Sequence, residues 1–260
     1  MENTDFTESL ERDGQLLADA AEKAGADAPV PTCPEWRVRD LLSHTGRVHR
    51  WATDFVTQGL QQPARFPEAP ALPDDQLADW LRDGCRTLVR ALRSAPADLS
   101  CWTFLPAPSP LAFWTRRQAH ETAVHRADAE AALGAGITPS APAFAVDGID
   151  ELLVGIQARE HSTMRTEAPK TLLIRASGAV GTPGAAWTVR LSDAPPRAER
   201  IPGAAAPGGA ALSGAAAADC VIEGPAPDLY LALWNRRSLE GITVTGDAGL
   251  ARLWQERSGI

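Results

Sequence analysis

The stretch "RRQAHETAVHRAD", residues 116–128, decides how the first half of the chain is read. It sets two histidines and a glutamate within six positions of a run that reads as helix. The spacing is H-E-x-x-x-H, one residue longer than the H-E-x-x-H of zinc-protease helices. On an α-helix, residues i and i+4 stand about 40° apart around the axis, and i and i+5 about 140° apart. Glu121 and His125 therefore share a face, whereas His120 and His125 do not. The protease pair is excluded and a Glu-x-x-x-His pair remains, which by itself most often serves as an ordinary polar pair. A helix bundle can host a metal on carboxylate and imidazole ligands from facing helices. The third ligand would come from His44, His49 or His161. His44, three residues after Leu41 and four before Val48, lies on or beside an apolar helical stripe. His49, five residues further on, faces another direction. An open set of two histidines and a glutamate suits Zn²⁺, with a fourth position left for water, thiol or substrate; Ni²⁺ or Fe²⁺ fits the same donors.

Outward from this stretch, the first half reads as four helices. Residues 5–24 carry Phe6, Leu10, Leu16 and Leu17 at helical spacing. "GADAPVPTCPEW" breaks the chain, and a second helix begins near Val38 and ends at Gly59 and Pro63. A third spans 74–95, with Asp74 as its expected N-cap. Prolines rule out helix over 101–113, so the fourth is expected from near Phe113 to about Leu133. Proline-rich connectors between four helices give a bundle over 1–140. In the second half, "AVDGIDELLVGIQAREHS" reads as one more helix. "KTLLIRASG", "AAWTVRLSD", "CVIEGPA" and "GITVTGD" read as short strands, interrupted by the helices "APDLYLALWNRR" and "GLARLWQERS". The expectation for 141–260 is a smaller α+β domain with a mixed or antiparallel sheet. Residues 203–218, "GAAAPGGAALSGAAAA", read as a flexible low-complexity loop.

The 260-residue chain carries a net charge of −8, which argues against a nucleic-acid partner held through phosphates. It suits a small-molecule ligand. No apolar run reaches 18 residues and the acidic N-terminus lacks the form of a signal peptide, so neither membrane insertion nor export is expected. Four scattered cysteines, Cys33, Cys85, Cys101 and Cys220, read as reduced thiols in a cytoplasmic protein, with no nucleophile context.

Taken together, "CPEWRVRDLLSHTGRVHRWA" (33–52) and "RRQAHETAVHRADAEAALG" (116–134) resemble the mycothiol-dependent maleylpyruvate isomerase family. "CVIEGPAPDLYLALWNRR" and the terminal "VTGDAGLARLWQERSGI" resemble that family's C-terminal domain. The resemblance implies a DinB-like four-helix bundle with metal ligands at His44, Glu121 and His125. It also implies mycothiol, a thiol of actinobacteria, as cosubstrate. Zinc lowers the thiol pKa, so that a thiolate adds to an electrophilic carbon. Addition to a cis double bond, rotation and elimination would isomerise the substrate; retention of the thiol would make the protein a transferase.

A dianionic substrate would call for cations, and Arg236 and Arg237 of "LWNRR", on a predicted helix, are the expected pair, with surface helix-end arginines as the plainer alternative. Arg126 is expected to pair with Asp40 or Asp128. His49 and His120 read as supporting or surface groups, His120 being the better placed to orient a ligand. Trp36 and Trp51 read as core packing. Two other functions remain open at this point: a non-catalytic binding or regulatory protein on the same fold, and a metal-dependent hydrolase using bound water. Oligomeric state is not legible.

Overall fold

Ser109 and Pro110 show how the bundle's most consequential helix starts. In the computed structural model, which describes residues 1–69, 71–134, 136–178, 184–202 and 218–259, helix α4 runs from Pro110 to Leu133. The Ser109 hydroxyl accepts the Ala112 N–H at 3.1 Å, and Pro110 occupies a first-turn position where its missing N–H costs nothing. The helix thus starts three residues before the expected Phe113, because a proline that breaks a helix interior is well suited to its first turn.

The chain divides into two units, Met1–Thr138 and Pro139–Ile260. In the first, α1 spans Asn3–Ala24, α2 Val38–Gln58 and α3 Leu77–Ser94. Asp5 and Asp40 accept the backbone N–H of Glu2 and Arg37 at 2.8 and 2.9 Å, closing the first turns of α1 and α2. Helix α2 stops at Gly59 in the left-handed conformation, φ 63°. Asp74 does not cap α3: it opens a 3₁₀ turn, Asp74–Gln76, and its carboxylate pairs with Arg39 at 3.0 Å.

Around the bundle the order is α1, α3, α2, α4, so α1 faces α2, and α3 faces α4, across the diagonal. Leu17, Val30, Val38, Leu41 and Leu81 form part of its core. Helix α4 is buried almost continuously from Phe113 to Glu130, yet that stretch holds Arg117, His120, His125, Arg126, Asp128 and Glu130. A helix enclosed on all sides is normally apolar. Polar groups placed there must satisfy one another, and several do.

Two long connectors are pinned to the bundle. Trp51 Nε1 donates to Ala64 O at 3.2 Å and Trp114 Nε1 to Trp102 O at 3.1 Å, within a cluster of Trp51, Phe55, Phe66, Trp102, Phe104 and Trp114. Between α1 and α2 the chain folds back through a bridge pairing Pro29 with Arg37. Val30 N–H donates to Trp36 O, and Trp36 N–H to Cys33 O.

The second unit begins with α5, Pro142–Asp150. It passes into a π-helical turn, Glu151–Ile156, and ends there rather than continuing to Ser162. The five strands are β1 (Lys170–Ser177), β2 (Ala185–Leu191), β3 (Arg197–Arg200), β4 (Cys220–Pro225) and β5 (Thr243–Gly246). Their order is β3-β2-β1-β4-β5, antiparallel except for the parallel pair β1–β4, so the sheet is mixed. Leu172, Ile174 and Ala176 lie opposite Val189, Trp187 and Ala185 on one side and Cys220, Ile222 and Gly224 on the other. Paired residues share a face, and these nine share the buried one. Helix α6 (Ala226–Leu233) packs against α5 and β4, and α7 (Ala248–Arg257) against β4. The low-complexity loop lies, for residues 203–217, outside the described residues.

Candidate metal centre

Glu121 and His125, one turn apart on α4, meet His44 of α2 across the bundle. His44 Nε2 lies 3.3 Å from Glu121 Oε1, and His125 Nε2 lies 3.2 Å from the same oxygen. One donor atom from each residue falls within 4.8 Å of the others. The fit to a metal can be tested on these distances. Bonds of about 2.0–2.1 Å in a tetrahedron imply edges of about 3.3 Å between donors. The two contacts to Glu121 match that edge. Three ligands of this kind leave one coordination position open.

The groups behind the donors hold them in this pose. Asp128 Oδ2 accepts from His125 Nδ1 at 2.8 Å, which turns Nε2 toward Glu121 and His44. The other Asp128 oxygen accepts the Thr32 hydroxyl at 2.5 Å, and the Cys33 thiol lies 3.9 Å from Oδ2. Arg117, one turn before Glu121, donates from Nη2 to Glu121 Oε2 at 3.1 Å. Trp36 covers both imidazoles, its ring 4.9 Å from that of His44 and 5.8 Å from that of His125. Phe66 approaches His44 from the 59–73 connector at 6.1 Å.

This arrangement is strongly charged. Burial pushes the Glu121 carboxyl up, but hydrogen bonds from His125 and His44 and the charge of Arg117 outweigh it and hold the carboxyl well below the usual range. Burial also pushes His125 down; its bonds to Asp128 and Glu121 prevail and raise it to about 9. His49 has no such partner. Its Nε2 lies 2.9 Å from Thr122 Oγ1, and burial lowers it to about 3, so the ring is neutral.

Several expectations are corrected here. His161 is exposed in a turn of the second unit. His49 and His120 are both fully buried, not surface groups. His120 lies edge-on to Phe6 of α1 at 5.8 Å, and Asp128 accepts from His125 Nδ1. Trp36, half-buried, packs against the bundle core as expected and also lines the centre. Cys33, read as having no nucleophile context, lies 3.9 Å from Asp128 Oδ2, a contact that does not overturn that reading. Arg126 pairs with neither Asp40 nor Asp128: it donates to Glu130 at 2.8 Å and to Thr138 O, with Asp13 at 3.4 Å. Arg236 and Arg237 do not lie on a helix, since α6 ends at Leu233. Arg236 donates to Trp234 O at 2.8 Å, and Arg237 is ion-paired with Asp228.

Fold and site define a class: a four-helix bundle bearing an open His/His/Glu cluster, followed by an α+β unit with a mixed sheet. Residues 7–130 match the domain family described as the mycothiol maleylpyruvate isomerase N-terminal domain, and 143–253 the MDMPI C-terminal domain. The chain belongs to the mycothiol-dependent maleylpyruvate isomerase family. A crystal structure of the mycothiol-dependent maleylpyruvate isomerase is similar over 94% of this chain and 93% of its own, with TM-score 0.61 and 13% identity. A histidine-to-alanine mutant of that isomerase gives the same coverage and score at 12% identity. A comparison with curated proteins finds no match. Among the described residues, no helix is long and apolar enough to cross a membrane.

Proposed function

We propose that the chain is a metal-dependent, mycothiol-using enzyme that adds a thiol to a small electrophilic substrate and then either releases it, as an isomerase, or retains it, as a transferase. The observation that carries this reading is the convergence of His44 Nε2 and His125 Nε2 on one oxygen of Glu121 from two different helices. His44, Glu121 and His125 would hold the metal, zinc being the best match to the donor set, and the bound ion would lower the pKa of an incoming thiol to give a thiolate at neutral pH.

The chain's own groups prepare the site for this. Asp128 keeps a proton of His125 on Nδ1, so that Nε2, on giving up its own proton, would be the nitrogen that binds the metal. Arg117 fixes the second oxygen of Glu121 and stops the carboxylate from rotating away. Trp36 walls the imidazoles on one side, which limits water and strengthens the charge interactions within. For isomerisation, the thiolate's electron pair forms a C–S bond to one alkene carbon and the π electrons move toward the adjoining carbonyl. Rotation about the new single bond and elimination of the same thiolate restore the alkene in the trans geometry, with no net change in atoms or electrons.

The test is metal content by elemental mass spectrometry on wild type and His125→Ala, followed by turnover of maleylpyruvate with and without mycothiol. Near-stoichiometric zinc, lost in the variant, together with mycothiol-dependent turnover supports the proposal. Metal-free wild type after zinc addition sinks it. Turnover that needs zinc but no thiol would make the protein a hydrolase instead.

A further inference from the structure

Most arginines of the first unit pair with carboxylates, the exposed Arg90, which donates to the Thr87 hydroxyl, being an exception away from the centre. Arg39 meets Asp27 and Asp74, Arg82 meets Asp19 and Glu22, Arg93 meets Glu11, Arg117 meets Glu121 and Arg126 meets Glu130. Arg47 breaks this pattern at the one place where it matters. It sits on α2 three residues after His44, so the two side chains leave neighbouring positions on one helix face. It is half-buried. Its Nε donates to Pro67 O at 2.6 Å, and its guanidinium carbon lies 4.5 Å from the centre of the Phe66 ring. The Phe66 ring in turn lies 6.1 Å from that of His44. Among the described residues, no carboxylate pairs with Arg47 and its two terminal nitrogens have no hydrogen-bond partner.

We propose that Arg47 is the anion-recognising residue of the centre, taking a carboxylate of the electrophilic substrate while the reacting carbon lies toward the metal ligands. The inference rests on the metal-centre reading above. Chemistry favours it on three counts. A guanidinium offers a planar fork that matches a carboxylate with two parallel hydrogen bonds. The bond from Nε to Pro67 O and the stacking on Phe66 fix the plane of that fork in advance, so little freedom is lost when an anion binds. The arrangement also gives the 59–73 connector a function, because residues 66 and 67 hold the arginine beside the site. Arg237, by contrast, already has Asp228 as its counter-ion.

The experiment is titration of zinc-loaded protein with maleate, a short dicarboxylate, followed by calorimetry. The comparator is 2-mercaptoethanol, a neutral thiol, whose binding is followed by the visible spectrum of cobalt-substituted protein. Wild type, Arg47→Met and Arg47→Lys are measured side by side, with metal content determined for each. The expected result is maleate binding weakened at least tenfold in Arg47→Met and to a lesser degree in Arg47→Lys, with thiol binding and metal content unchanged. Unchanged maleate binding in Arg47→Met, at full metal content, overturns the assignment and leaves the metal centre standing. Equal weakening of maleate and thiol also overturns it, since Arg47 would then act by holding the connector. Wild type that takes up no metal removes the metal-centre reading, and this inference with it. Should Arg47→Met fail to fold, Arg47→Lys decides by the same comparison.

Discussion

Asp128 lies one turn after His125 on α4 and accepts its Nδ1 proton at 2.8 Å, with its own carboxylate fully buried. A buried carboxylate is costly unless its oxygens are satisfied. Here Thr32 and Cys33 from the α1–α2 turn share that duty. The same contact therefore joins the turn to α4 and sets the tautomer of a metal-ligand candidate.

Replacing Asp128 separates these two roles. Asp128→Asn keeps the shape but presents an amide where His125 needs an acceptor, and is expected to lower zinc affinity about 10- to 100-fold. Removing the charge altogether in Asp128→Ala leaves the Thr32 hydroxyl and His125 N–H without their acceptor and adds a stability loss of about 1–3 kcal/mol. Chelator competition measures the first effect and urea unfolding of the metal-free protein the second. Zinc affinity unchanged in Asp128→Asn would refute the orienting role.

The pH dependence of stability follows from His49. Its folded pKa of about 3 lies below the ordinary 6.5, so between those values the unfolded chain binds the proton and the folded chain does not. The contribution is complete above pH 6.5 and is lost as pH falls toward 3. The slope is about 1.4 kcal/mol per pH unit at its steepest. His125 acts with the opposite sign in the metal-free protein: raised to about 9, it stabilises fully below 6.5 and its contribution fades as pH rises to about 9. Urea midpoints of metal-free His49→Gln should therefore be flatter than wild type from pH 6.5 down to 4.5. A wild-type slope in the variant would show that His49 is not the group responsible.

Trp36 should report metal binding. Its ring lies against both imidazoles, and a change from a protonated His125 to a metal-bound one changes the charge facing the indole. The tryptophan emission of wild type should shift on zinc addition, and most of that response should vanish in Trp36→Phe at unchanged zinc content. An identical response in the variant would move the signal to another of the eight tryptophans.

Much of this site was legible because helical spacing is a strict rule. Glu121 and His125 had to share a face, and His44 had to lie near the apolar stripe of its helix. The same rule, carried one step further, points from His125 to Asp128 at i+3, from Arg126 to Glu130 at i+4, and from His44 to Arg47 at i+3. What spacing could not reveal was which loops return to the site. Thr32, Cys33 and Trp36 arrive through the fold-back at Pro29–Arg37, and Phe66 through a connector held by Trp51. Neither contact is local in sequence. Strand β3 was missed for another reason: "RAER" is a short edge strand with no apolar alternation, and its partners across the ladder, Arg190 for Glu199 and Trp187 for Arg200, are not marked by spacing in the sequence. The arginines after α6 were placed on a helix because "DLYLALW" continues its pattern, but the chain turns through Asn235 at φ 59°, a conformation that asparagine tolerates better than most residues.

Gly46 tests whether the α2–α3 contact and the metal centre are energetically separate. A Cβ at this position would fall 2.1 Å from the ring of Trp80, whose other contacts include the Arg50 guanidinium at 3.8 Å. Two effects of Gly46→Ala oppose each other. Alanine in a helix interior gains about 0.5–1 kcal/mol over glycine. Overpacking a close helix–helix contact typically costs about 1–3 kcal/mol, and a 2.1 Å overlap with a rigid indole places this case at the upper end. The overlap wins, and a net loss of about 2 kcal/mol is expected by urea unfolding. His44 lies two residues earlier, on a different face of α2, so zinc affinity should be unchanged in the folded variant. A stabilised Gly46→Ala would mean that Trp80 can swing aside at little cost. A destabilised variant that also loses zinc would mean that the packing of α2 on α3 sets the position of His44.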